Sequence, residues 1–254
     1  MGKIIDAHLH LPVDEELQSF EDKKQKLIKE LNKNGILGAV VIADSVEPSD
    51  IGTNDQCIRL FKDEKYIYII AGISVFYKYE DNLEKLEKYL KNKDIVAIKI
   101  YPGHERFYIN DSRLIKVYNL CTKYDVPIAI HTDRSVYATP YLMSKLALTY
   151  PKLKIVYCHI GFPNIYESYI FTMDKDNIYY DISSIAYYDD TIEKSKGIIS
   201  QIVREKEDRV IFGSDYGGCS MKAHKDFVES LDITYMQREK LFHINAEKLY
   251  KLET

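Results

Sequence analysis

Five side chains able to bind a metal stand at the ends of apolar runs spread along nearly the whole chain: His8, His10, His131, His159 and Asp215. The runs are Ile4-Ile5-Asp6-Ala7-His8-Leu9-His10, Ile128-Ala129-Ile130-His131, Ile155-Val156-Tyr157-Cys158-His159 and Val210-Ile211-Phe212-Gly213-Ser214-Asp215. Short apolar runs of this kind read as strands buried on both faces. Such a strand has no reason to finish in histidine or aspartate unless those groups meet something polar, and the simplest common partner is a divalent cation. Imidazole and carboxylate bind Zn²⁺, Mn²⁺ or Fe²⁺ and leave a position open for water. A lone buried histidine is more often a hydrogen-bonded core residue. Five such groups at successive strand ends, in the same phase, are not what core packing produces, and the set points to a metal site.

The elements that must position these groups recur about every thirty residues. The apolar runs are Ile4–His8, Ile36–Ala43, Tyr66–Ile73, Ile95–Tyr101, Val126–His131, Lys154–His159, Asn177–Ile182 and Arg209–Gly213. Between them lie lysine- and glutamate-rich segments with helical spacing. Glu15–Asn34 carries Leu17, Phe20, Leu27, Ile28 and Leu31 on one side, and Gly35 suits the residue after a helix. Similar patterns cover Asp81–Asn92, Asp111–Tyr124, Tyr141–Tyr150, Thr191–Lys206 and Thr234–Leu252. Eight alternations of strand and helix over this length predict an α/β fold, a single (β/α)₈ TIM barrel spanning residues 1–254 as one domain. A doubly wound open sheet is the competitor, but no GxGxxG turn follows the first strand. The seventh run and the irregular stretch Tyr187–Gly197 carry the weakest patterns.

Side chains alternate faces along a strand, so His8 and His10 point the same way, and Asp6 is expected one step earlier on that face. In a barrel this is the interior, and the C-terminal strand ends form the mouth where active sites sit. The fourth run, Ala97-Ile98-Lys99-Ile100-Tyr101-Pro102, adds Lys99, which is costly to bury unpaired and is expected to face that polar mouth. An ion pair at the mouth is its structural alternative. Asp6 is expected to hydrogen-bond near the site rather than bind the ion. His224 and His243 read as surface or packing residues. His104, Arg106 and Arg134 follow the fourth and fifth strands in loops at the mouth, and arginine suits a substrate carboxylate or phosphate. Tyr77, Tyr101, Tyr187 and Tyr216 follow other strands and are candidates to wall a small organic substrate.

Bulk properties narrow the class. Of 254 residues, 46% are hydrophobic and 29% charged, ordinary values for a globular protein. The formal charge is −4, with lysine and glutamate interleaved. That gives no footprint for nucleic acid and no polybasic membrane patch. No stretch approaches the length of a membrane span. Cys57, Cys121, Cys158 and Cys219 show no CxxC pairing, so reduced thiols in a cytoplasmic protein are expected. The first strand begins at Lys3 and leaves no room for a signal peptide ahead of it.

The segments IIDAHLH, AIKIYPG, PIAIHTD, IVYCHIG, RVIFGSDYG and the closing HINAEKLY together resemble the amidohydrolase superfamily. The closest likeness is to its amidohydrolase-2 branch, which includes aminocarboxymuconate-semialdehyde decarboxylase. The resemblance spans essentially the whole chain and implies a metal-dependent barrel. In mononuclear members His8, His10, His131 and Asp215 would hold the metal, with His159 beside the bound water or substrate. In binuclear members His8, His10 and Asp215 would serve one ion, His131 and His159 the other, and a carboxylated Lys99 would bridge them. The KIYP setting of Lys99 is more like the amidohydrolase-2 branch, so one ion is favoured over two. Zn²⁺ is the expected metal, with Mn²⁺ and Fe²⁺ as alternatives. The chain is short for the branch, so long substrate-binding insertions are expected to be missing.

The expected chemistry is hydrolysis of an amide, ester or lactone bond in a small molecule. The ion would lower the pKa of a bound water, Asp215 would take and pass on its proton, and His159 would stabilise the oxyanion or orient the water. Decarboxylation on the same site is the alternative, with phosphoester hydrolysis or a metal-retaining binding protein as further rivals. Barrels of this type often form homodimers, but the sequence points to no interface.

Overall fold

The computed structural model describes residues 2–17, 19–187 and 189–253. Eight strands pair in parallel, in chain order: β1 Ile5–Leu9, β2 Gly38–Ile42, β3 Ile67–Gly72, β4 Ala97–Ile100, β5 Ile128–Ile130, β6 Ile155–Tyr157, β7 Ile178–Asp181 and β8 Val210–Ile211. The sheet curls back onto its first strand. Ala7 N–H donates to Phe212 O at 2.9 Å, Asp215 N–H to His8 O at 2.8 Å and His10 N–H to Tyr216 O at 2.7 Å. With helices around it, this is the (β/α)₈ barrel that the alternating pattern predicts.

The helices are α1 Phe20–Asn34, α2 Asn54–Phe61, α3 Tyr79–Asn92, α4 Leu114–Tyr124, α5 Pro140–Thr149, α6 Ile165–Thr172, α7 Asp189–Glu205, α8 Met221–Glu229, α9 Tyr235–Glu239 and α10 Asn245–Tyr250. A π turn, Lys240–Ile244, joins the last two. α1 begins later than its pattern suggests because Ser19 forms a capping box with Asp22, and it stops where Gly35 adopts a left-handed φ of 68°. α7 starts within the irregular Tyr187–Gly197 stretch. Helices α2, α6 and α8 are short and have no counterpart among the helical segments read from the sequence.

Two apolar layers fill the fold. Ile5, Ala7, Val40, Ile42, Ile70, Ala97, Ala129, Val156 and Ile211 pack together inside the barrel, closed at one end by Leu249 and Tyr250. Leu9, Val41, Ile98, Ile100, Ile130 and Tyr157 face the helices. The first strand changes its phase between these layers. Ile5 pairs with Gly38 and Asp6 with Ala39, but Leu9 pairs with Val41, so β1 carries one extra residue between Asp6 and Leu9. This β-bulge corrects the expectation for Asp6, which does not share the face of His8 and His10. It lies on the opposite face from Ile5 and Ala7 and accepts hydrogen bonds from Ser214 N–H at 3.0 Å, the Ser214 hydroxyl and His8 N–H at 3.2 Å. Burial pushes its pKa up to about 7 against the pull of those donors.

Candidate metal centre

The mouth of the barrel gathers His8 from β1, His10 from just past its end and Asp215 from beyond β8. Their ligand atoms lie within 4.8 Å of one another. Both histidines present Nε2 to Asp215 Oδ1 at 3.5 Å. Their other ring nitrogens are committed elsewhere. His8 Nδ1 bonds the Asp181 carboxylate, and His10 Nδ1 donates to Ile42 O at 3.2 Å. Each ring therefore carries its proton on Nδ1 and turns an Nε2 lone pair toward the Asp215 carboxylate. Three acceptors aimed at one point repel one another unless a cation lies between them. In a tetrahedral zinc site, metal–donor bonds near 2.0–2.1 Å place donors about 3.3 Å apart, close to what is seen here. The residues thus fit a divalent ion.

Asp181 was not singled out from the sequence, although it closes the run Ile178–Asp181 just as the other site residues close theirs. Its carboxylate also accepts Ser183 N–H at 2.8 Å. Burial works against its charge, but His8, His159 and Lys99 outweigh that effect and hold its pKa at about 2.

His131 and His159 stand beside the first cluster. His159 Nε2 is 3.2 Å from His131 Nδ1, and the His159 and His8 rings are 5.1 Å apart. His159 Nδ1 donates to Ser183, whose carbonyl lies at 3.3 Å and hydroxyl at 2.9 Å. Burial lowers the His159 pKa to about 4, with Asp215 opposing and His8 and Lys99 adding to the shift. His131 is also pushed down, by burial first and then by His159. Both rings are neutral near pH 7; with His159 Nδ1–H on Ser183, His159 Nε2 accepts from His131 Nδ1, which leaves the His131 Nε2 lone pair available to an ion or a water. His159 at φ 57° and Asp215 at φ 57° occupy the left-handed region, which residues with a Cβ adopt infrequently.

Lys99 is fully buried, with Nζ 2.9 Å from Cys158 Sγ and 5.4 Å from the centre of the Tyr101 ring. Its charge acts on His8, His131, His159 and Asp181.

A cleft of about 430 Å³ opens over the cluster, lined by His104, His131, Asp133, Arg134, His159, Phe162, Ser184 and Asp215 among others. The His104 ring lies 4.4 Å from the His131 ring, tilted by 47°, and the Tyr101 ring is 6.3 Å from that of His131. The Tyr101 hydroxyl is buried and has no hydrogen-bond partner among the described residues. Asp133, another residue the sequence reading passed over, has Oδ2 3.8 Å from His131 Nε2. Arg106 is exposed and lies outside the cleft lining. Tyr216 packs against the outer apolar layer and feels the charges of Glu30 and Asp14 on the α1 side. Tyr77 borders a separate pocket with Asp44 and Tyr89. The Tyr187 side chain lies outside the described residues. His224 is a buried packing residue: Nδ1 donates to Ser220 O at 2.9 Å and Nε2 accepts Ala186 N–H at 3.1 Å.

The sequence model described as amidohydrolase matches residues 5–252. Among curated proteins none matches the chain. An uncharacterised TIM-barrel protein from Bordetella bronchiseptica superposes with a TM-score of 0.76 at 18% identity, covering 98% of both chains. A probable 2-pyrone-4,6-dicarboxylic acid hydrolase from Acinetobacter baumannii, with citric acid bound, gives 0.71 at 17% identity, covering 99% of this chain and 100% of that one. A dihydroxybenzoic acid decarboxylase from a Polaromonas species, with manganese and 2-nitroresorcinol bound, gives 0.70 at 16% identity, covering 99% and 97%. At these identities the likeness to the solved structures shows the fold alone. Among the described residues no helix is long and apolar enough to cross a membrane.

Proposed function

The chain belongs to the amidohydrolase family, and on that premise we propose that it is a metal-dependent hydrolase acting on an amide, ester or lactone bond of a small organic acid. The observation that carries this reading is the convergence of two Nε2 lone pairs and one ionised carboxylate on a single point at the cleft floor. His8, His10, His131 and Asp215 would hold one divalent ion, with Zn²⁺ favoured and Mn²⁺ as the alternative. When bound, that ion supplies Lewis-acid polarisation of a substrate oxygen and activation of water.

The chain's own residues do the rest. Asp181 fixes the tautomer and orientation of His8 through Nδ1. Asp215 accepts a proton from the attacking water and returns it to the leaving group. His159, with its proton directed to Ser183 and Nε2 against His131, stands beside the donor set and would orient that water. Arg134, exposed at the cleft wall, pairs with the substrate carboxylate, and His104 and Tyr101 flank the bound molecule. Arg106 and Tyr216 are set aside as substrate contacts, since neither lines the cleft. Lys99 serves the electrostatics of the buried cluster, and a bridge to a second ion is not part of this reading.

A decarboxylase on the same donor set, the alternative already expected from the sequence, is the second reading, and two fold neighbours bear that name. The test is turnover of a panel of lactones, esters and amides of small carboxylic acids by Zn²⁺- or Mn²⁺-loaded protein in ¹⁸O-water. Label entering the product, and loss of turnover in Asp215→Asn with metal still bound, is the expected result. Carbon dioxide release from aromatic acids with no hydrolysis would replace this reading with the second. Full turnover in Asp215→Asn would remove the proton-transfer role.

A further inference from the structure

Ser183, His159, His131 and Asp133 form one line of polar contacts from the buried floor of the centre to the rim of the cleft. Ser183 Oγ lies 2.9 Å from His159 Nδ1, and His159 Nε2 lies 3.2 Å from His131 Nδ1. His131 Nε2 then faces Asp133 Oδ2 at 3.8 Å, beyond a direct hydrogen bond but within reach of the carboxylate charge. A neutral imidazole carries one proton and one lone pair, so each ring donates at one nitrogen and accepts at the other. The two rings must therefore point their protons the same way along the line. With a proton on each Nδ1 the line runs inward to Ser183 and leaves a lone pair on His131 Nε2. With a proton on each Nε2 it runs outward from Ser183 to Asp133.

An ion on His131 Nε2 requires the inward direction. Without an ion that direction is costly at both ends. It sets the His131 lone pair against the Asp133 carboxylate, and it leaves the Ser183 hydroxyl hydrogen with no acceptor. Among the described residues that buried hydroxyl meets only His159 Nδ1 and, at 3.1 Å, His8 Nδ1, which already donates to Asp181. The outward direction resolves both ends. The Ser183 hydroxyl donates to His159 Nδ1, His159 Nε2–H donates to His131 Nδ1, and His131 Nε2–H turns toward Asp133. Its one loss is the contact between His159 Nδ1 and the Ser183 carbonyl at 3.3 Å, which the hydroxyl replaces. The charge at the outer end therefore decides. Asp133 Oδ1 accepts Ser135 N–H at 2.7 Å, which holds Oδ2 toward His131.

We propose that Asp133 and Ser183 are positioning residues that keep His131 and His159 in the outward tautomer while the centre is empty, and that an ion arriving at His131 Nε2 reverses both rings together. Each ring keeps one proton throughout: the proton lost at Nε2 is matched by one regained at Nδ1 from water of the cleft. The reversal rests on the metal centre proposed above, whereas the ion-free tautomer does not. The test is two-bond ¹H–¹⁵N correlation NMR of chelator-treated, ¹⁵N-histidine-labelled protein near neutral pH, which shows the nitrogen that carries each proton. His131→Gln and His159→Gln assign the signals. Metal-free wild type should carry both protons on Nε2. In Asp133→Asn the Ser135 N–H keeps the amide oxygen and turns the NH₂ toward His131, so both protons should move to Nδ1. Ser183→Ala leaves only the carbonyl for His159 and should shift the balance the same way, in each variant by at least about 10-fold. Zn²⁺ should move both protons to Nδ1 in wild type. Protons on Nδ1 in the metal-free wild type, or tautomers unmoved by Asp133→Asn, would overturn the proposal. Zn²⁺ that binds without moving these protons would overturn the reversal and remove His131 from the ion's ligands.

Discussion

Replacing Asp181 by asparagine probes the centre through a residue proposed not to touch the ion. The carboxylate accepts two N–H groups, His8 Nδ1–H on one oxygen and Ser183 N–H on the other. Asparagine has a single acceptor oxygen and must point its NH₂ at one of these two partners. If the NH₂ faces Ser183, two donors oppose each other in a buried site, at about 1–3 kcal/mol. If it faces His8, the ring must accept at Nδ1 and carry its proton on Nε2, the atom 3.5 Å from Asp215 that is proposed to bind the ion. Both orientations weaken the centre, and loss of such a supporting carboxylate typically reduces metal affinity about 10–100-fold, or roughly 1.4–2.7 kcal/mol. The assay is competition between apo-protein and a chromophoric chelator for Zn²⁺, with circular dichroism confirming that the variant is folded. An affinity within about two-fold of wild type in folded Asp181→Asn would refute the tautomer argument.

Three other outcomes follow from the geometry. Protein prepared without chelator should carry about one metal per chain, and His8→Ala/His10→Ala should carry none; elemental analysis decides, and retention of the metal would move the site elsewhere. Gly213→Ala would place a methyl 2.6 Å from His8 Cβ and 2.9 Å from an Asp181 oxygen, so calorimetry should show a loss of about 1–3 kcal/mol and several degrees in Tm. His224 is held neutral by burial, and its folded pKa lies below the unfolded value near 6.5. Its contribution to stability is therefore complete above about pH 6.5 and is lost as the pH falls, because the unfolded chain takes up a proton that the native ring refuses. Urea unfolding at about pH 7.5 and 5.5 should show a larger acid-induced loss in wild type than in His224→Gln, and equal losses would remove His224 as a source of acid sensitivity.

The barrel and its donors were legible because two independent periodicities agree. Runs such as Ile128–His131 and Ile155–His159 are apolar to their last residue, and the polar ending marks the mouth. The same rule applied to Ile178-Tyr179-Tyr180-Asp181 would have found Asp181, but the run was read only as a weak strand. Asp6 misled for a different reason: alternation cannot reveal an extra residue, and the bulge in β1 exists only in the pairing with β2. Helix α6 escaped notice because both of its sides are apolar and no amphipathic period shows, which is also what leaves its outer face exposed. The orientation of Tyr216 toward the α1 side depends on the turn after Asp215, where no strand pattern operates.

The left-handed backbone at His159 and Asp215 sets stability and reactivity against each other at two single residues. Each conformation costs on the order of 1 kcal/mol for a residue with a Cβ, and glycine would be relieved of it. Selection for durability alone would therefore favour erasing the two side chains that make this mouth chemically distinctive. A descendant that yielded to that pressure would be a firmer barrel with an intact cleft and no proton acceptor at its floor, suited to holding a small molecule but not to transforming it.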